Sequence, residues 1–125
     1  DRKKIAAENL DAARRRLMDI LCNYAGYRKC VPILVFDAYR VKGAGREQET
    51  WHNLHVIYTR EAETADMFIE RATHELAKNH RVRVVSSDGA EQIIILGNGA
   101  LRVSARAFER EVRAVEAEIR EFLDQ

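Results

Sequence analysis

Cysteine, proline and histidine are scarce in this chain of 125 residues: two Cys, one Pro and four His. Cys22 and Cys30 form no Cys-x-x-Cys pair, and no His or Cys cluster has the spacing of a zinc site. His52 and His55 lack a second pair to complete a ligand set, so a structural or surface role fits them better than metal ligation. Two unpatterned cysteines suit free thiols in a reducing compartment. No apolar run reaches membrane-spanning length and no signal peptide is visible, which predicts a cytoplasmic protein with no membrane partner. Repeats, low-complexity tracts and linkers are also missing, so residues 1–125 read as a single domain. Net charge is only +1, so any nucleic-acid site has to be a local patch. What is present is 46% apolar and 33% charged residues, the balance of a soluble, helix-rich globular protein long enough to bury a core.

The spacing of Leu10, Ala13, Leu17, Ile20, Leu21 and Tyr24 predicts a helix over 5–24 that ends at Gly26, with Arg14, Arg15 and Arg16 on a solvated face. Pro32 to Phe36 is a short apolar run of the kind found in a strand covered on both faces, and Asp37 follows it. Alternation over 54–59 predicts a second strand. A helix then starts at the N-cap Thr64, with Ala65, Phe68, Ile69, Ala72 and Leu76 as its buried stripe. Val82 to Ser86 is a third strand, delivering Asp88 just beyond its end. The run over 91–96 is β-branched, yet Asp88 with Glu91 matches a capping box and Gly97 a helix C-cap, so a short helix is expected. A turn at Gly99, a short strand over 101–103 and a last helix capped by Ser104 complete the chain. In that helix Phe108, Val112, Val115, Ile119 and Phe122 form the stripe. Alternating strands and helices imply a three-layer α/β/α domain with a mainly parallel sheet.

In such a sheet Asp37 and Asp88 share the carboxyl edge, and Asp66, in the first turn of the intervening helix, is placed to reach it. Three converging carboxylates repel one another, and a bound divalent cation relieves that. The competing account is local: carboxylates also suit helix N-termini and turns. Between the first two strands, residues 39–52 form a long loop with three cations. Arg40, Lys42 and Arg46 are candidates to meet phosphates, with Trp51 or Tyr39 stacking on a base. A surface loop with solubilising charges fits the same residues.

Several blocks carry a resemblance. Val35-Phe36-Asp37-Ala38 with Val41-Lys42-Gly43, Tyr58-Thr59-Arg60-Glu61 leading to Glu63-Thr64-Ala65-Asp66, and Ser87-Asp88 with Glu91-Gln92 are three of them. The others are Leu96-Gly97-Asn98-Gly99-Ala100-Leu101-Arg102 and Ser104-Ala105-Arg106. Together they resemble the YacP-like branch of the NYN domains, PIN-like nucleases with a Rossmann-like fold, over nearly the whole chain and in order. The resemblance implies a metal-dependent endoribonuclease using Mg²⁺ or Mn²⁺ and acting on messenger RNA at the ribosome. It maps the family's acidic positions onto Asp37, Asp66 and Asp88, with Glu63 as a further candidate. Asn98 stands where relatives usually carry Gln. The family also begins with a central strand ending in Asp-Gly-Tyr-Asn, whose Asp is a metal ligand. This chain begins after that strand, so the domain is expected to lack its first strand.

On this reading Asp37, Asp66 and Asp88 hold the cation, Thr64 and Ser87 orient ligands, and Arg102 and Arg106 grip the RNA backbone. Plain capping explains Thr64 and Ser87 equally well, and pairing with the abundant glutamates is the ordinary fate of surface arginines. The alternative function is a catalytically incomplete RNA- or ribosome-binding PIN-like module. A metal-dependent phosphatase is a weaker rival, because Asp37 lacks the Asp-x-Asp pattern of a nucleophile and acid pair.

Overall fold

A computed structural model describes residues 2–37, 48–60, 63–86, 91–97 and 102–125. Along the chain run α1 (Arg2–Arg28), β1 (Val31–Phe36), β2 (Gln48–Trp51), β3 (Leu54–Tyr58), α2 (Ala65–Leu76), β4 (Val82–Ser86), β5 (Glu91–Leu96), β6 (Arg102–Ser104) and α3 (Ala105–Leu123). The strands form one six-stranded sheet in the order β2-β3-β1-β5-β4-β6. Helices α1 and α3 pack on one face around Leu21, Tyr24, Phe108, Val112 and Val115. On the other face α2 lays Ala65 and Ile69 over Val35, Val84 and Ile94, with Phe68, Ala72 and Leu76 beside them. The three-layer α/β arrangement is therefore the expected one.

The sheet itself is mixed rather than mainly parallel. β1 pairs with β3, and β4 with β6, in parallel. β5 runs antiparallel to both β1 and β4, and β2 antiparallel to β3. The cause is the segment expected to be a short helix. Its six residues make a strand whose Ile93, Ile94 and Ile95 are 6%, 0% and 0% exposed. Burial on both faces together with ladders on both sides outweighs a local capping signal, and six residues are few for a helix. Gly97, expected to cap that helix, takes φ +91 at the strand's exit and donates its N–H to the Arg81 carbonyl at 2.9 Å.

Two smaller corrections have similar causes. α1 runs through Gly26, and the turn falls at Lys29, whose φ of 55 closes it with Cys30 N–H donating to Ala25 O at 3.2 Å. Gln48–Trp51, expected in the loop, is an edge strand. Its polar sequence carries no strand alternation, so only pairing with β3 defines it. Cys22 and Cys30 form no disulfide, as expected. Burial pushes the Cys22 thiol up from its ordinary pKa. Among the described residues, no helix is long and apolar enough to cross a membrane.

One polar pair interrupts the apolar layer beneath α3. Arg83 on β4 is 8% exposed and donates to Glu111 at 2.6 Å, and this carboxylate holds its guanidinium pKa above the ordinary value. Arg83 Nε and Glu111 Oε2 are buried without a hydrogen-bond partner among the described residues, so within these the pair is incompletely satisfied. Removing one member of such a pair leaves a buried charge, whereas removing both costs little. Glu111→Ala is expected to lower unfolding free energy by about 2 kcal/mol in urea titrations, and adding Arg83→Met to restore most of it.

Candidate functional site

β1, β3 and β4 run in one direction, because β1 is parallel to β3 and β5 lies antiparallel to both β1 and β4. Their carboxyl ends therefore share one edge of the sheet. Asp37 follows Phe36 there, half-buried. Next to it, the Thr59 N–H donates to the Phe36 carbonyl at 3.0 Å, tying the end of β3 to the end of β1. From Thr59 the chain leads to α2, whose N-cap Thr64 accepts from the Met67 N–H at 3.2 Å. Asp66 sits in the first turn, exposed, where the helix dipole favours a negative charge. α3 starts at this edge too: Ser104 pairs in register with Ser86 and accepts from the Ala107 N–H at 3.1 Å.

Asp66 is joined to the sheet directly. Its Oδ1 accepts a hydrogen bond from the Gln92 side-chain amide. Gln92 is opposite Val35, and Glu91 opposite Phe36, so this bond lands on the strand flanking the end of β1 from which Asp37 emerges. Asp37 and Asp66 thus come from different elements to one edge, as expected. Asp88 lies outside the described residues, although β4, which leads to it, ends at the same edge with Ser86. Arg40, Lys42, Arg46 and Ser87 also lie outside them. Glu63 is half-buried, and one of its carboxylate oxygens pairs with the exposed Arg71 at 2.7 Å.

The two arginines of the last segment have separate positions. Arg106 stands in the first turn of α3 at the site edge, and Arg102 lies level with Val84 on β6. Both are exposed and neither forms an ion pair with a described residue. Trp51 is elsewhere: it pairs with Leu54 at the opposite edge of the sheet, and its indole N–H donates to Asp19 at 3.3 Å. That position takes it away from the carboxylates. Sequence reasoning missed two neighbours of the site. Gln92 was hidden by its assignment to a helix. Arg14, placed with its neighbours on a solvated face, is half-buried with its guanidinium 5.8 Å from the Phe36 ring, which stacks in turn on Tyr58 at 5.5 Å.

The donor chemistry at this edge suits a hard cation. Carboxylate oxygens are what Mg²⁺ and Mn²⁺ take, and such ions keep several waters and need few protein ligands. Asp66 commits one oxygen to Gln92, and its other oxygen makes no hydrogen bond to a described residue. Among the described residues alone, no group of three His, Cys, Asp or Glu side chains is arranged to hold a metal ion.

With this geometry in place, known proteins give consistent comparisons. The family model of the YacP-like NYN domain matches residues 1–125. YacP of Bacillus subtilis is 41% identical over 118 residues, which cover 94% of this chain and 69% of that protein. The crystal structure of Rae1 (YacP) from Bacillus subtilis matches with a TM-score of 0.70 at 34% identity, covering 90% of this chain. This chain spans 65% of the length of that solved chain.

The position of Asp66 depends on the cap that starts its helix. Thr64→Ala is expected to lower stability by about 1 kcal/mol in thermal or urea unfolding, with the largest loss of hydrogen-exchange protection in the first turn of α2.

Proposed function

The chain belongs to the YacP-like NYN domain family, which has the PIN-like nuclease fold, and on that premise we propose that it is a metal-dependent endoribonuclease hydrolysing RNA phosphodiester bonds. The observation that carries the proposal is that Asp37 follows the end of β1 and Asp66 opens α2 at the same carboxyl edge of one sheet. Asp37, Asp66 and Asp88 would hold Mg²⁺ or Mn²⁺. When bound, the ion would supply positive charge that lowers the pKa of a water so that it loses its proton and attacks as hydroxide, and that offsets charge on the leaving oxygen.

The protein's own groups would do the rest. The cap at Thr64 fixes the turn that carries Asp66, and Gln92 ties that turn to the sheet. The N-terminal ends of α2 and α3 present positive dipole to the same edge, a favourable setting for a phosphodiester. Arg102 and Arg106 would grip the RNA backbone, as would Arg40, Lys42 and Arg46. The substrate we propose is messenger RNA, with the ribosome as the assembly on which it is met, in the cytoplasm.

Two measurements test this. In the full-length protein, Asp66→Asn should abolish Mg²⁺- or Mn²⁺-dependent RNA cleavage while leaving the circular dichroism spectrum unchanged. Retained metal-dependent cleavage by a clean preparation of that variant would remove Asp66 from the site. RNA binding without cleavage by the unmodified full-length protein would favour the binding-module alternative. Separately, Arg106→Gln should weaken binding to all RNA sequences alike and reduce the slope of log K against log salt by roughly 0.7, the value for one lost contact to a single strand.

A further inference from the structure

The position of Gln92 in the strand calls for an explanation that packing does not supply. Along β5 the side chains alternate between the two faces of the sheet, so Gln92, Ile94 and Leu96 point toward α2. Ile94 is wholly buried in the cluster with Val35, Ala65, Ile69, Val82 and Val84, and Leu96 packs against it. Gln92 is the polar member of this row, and it is 7% exposed. A buried amide is costly unless hydrogen-bonded, and its Nε2 donates to Asp66 Oδ1. An apolar residue of the same length would fill this place without that requirement.

We propose that Gln92 is a positioning residue for the Asp66 carboxylate: it holds Oδ1 and so directs the other oxygen outward for the divalent cation. This inference rests on the metal-dependent reading given above. Asp66 is exposed and sits in a first helical turn, so without an anchor its side chain would rotate freely between rotamers. Gln92 anchors it from a strand paired to β1 on one side and β4 on the other, which is a rigid support. Groups of this kind, which hold a ligand without touching the ion, typically contribute 10- to 100-fold in metal affinity.

The test uses the full-length protein and Mn²⁺ alone, with free Mn²⁺ followed by electron paramagnetic resonance. Gln92→Met keeps the length of the side chain and removes the amide. It is expected to weaken Mn²⁺ binding about 10-fold or more while the metal-free melting temperature stays near that of the unmodified protein. Unchanged Mn²⁺ affinity in Gln92→Met overturns the positioning role. Asp66→Asn separates the two failures: if it abolishes Mn²⁺ binding and Gln92→Met does not weaken it, the metal site stands and the role of Gln92 falls. If Asp66→Asn binds Mn²⁺ normally, the metal reading falls and the role of Gln92 with it. A second readout needs no variant. The side-chain amide resonance of Gln92 in the unmodified protein should shift when Mg²⁺ saturates the site, and a resonance that does not move overturns the proposal.

Discussion

Placing β5 between β1 and β4 is the constraint on which the rest of the fold depends. Its isoleucines contribute to both apolar layers, Ile93 and Ile95 beneath α1 and α3, Ile94 beneath α2. Each such burial is worth roughly 1.5–3 kcal/mol, and the strand hydrogen-bonds on both sides, so one short segment unites both halves of the sheet. Because it runs antiparallel to two strands that share a direction, β1 and β4 end at the same edge. Asp37 follows the first of them, and the segment containing Asp88 follows the second.

That edge gathers groups of opposite electrostatic character. Two helices begin there, each closed by a hydroxyl cap, Thr64 or Ser104, and each turning its positive end toward the carboxyl ends of the strands. Asp66 sits in the first of these turns, and the Arg14 guanidinium lies over the Phe36 ring next to Asp37. The opposite edge has a different character. There the Trp51–His52 hairpin is tied to α1 through Asp19 and Cys22, and these contacts hold the edge strand β2 against the layer beneath it. Open α/β sheets usually place their ligand sites outside the carboxyl ends of the strands, which is the polar, helix-capped edge here.

Much of this was legible in the residues. The stripes of α2 and α3 follow from 3.6-residue periodicity, and both caps were readable from a hydroxyl residue placed just before an apolar stripe. The strands carrying Leu34, Val56 and Val84 were readable because continuous or alternating apolar runs have few other uses. Asp37 and Asp66 could be assigned to one edge because each sits at a readable element end, although the parallel sheet assumed for that assignment is mixed and β5 is what aligns β1 with β4. Gln92 could not be identified, since an amide has no periodic signature and its role depends on which element carries it.

What the sequence determined by itself was local: which segments are amphipathic, where α2 and α3 begin, which carboxylates follow strands, and the motif blocks by which the family is recognised. Tertiary structure alone decided the identity of 91–96. Its capping signals and its β-branching point in opposite directions, and the balance tips only when two neighbouring strands offer hydrogen bonds and two helical layers exclude water. The same holds for β2, which is a strand because β3 lies beside it, and for the Gln92–Asp66 bond, which joins two segments far apart in sequence. Local periodicity carries no information about partners, and in this protein the partners made the sheet mixed and tied Asp66 to its central strand.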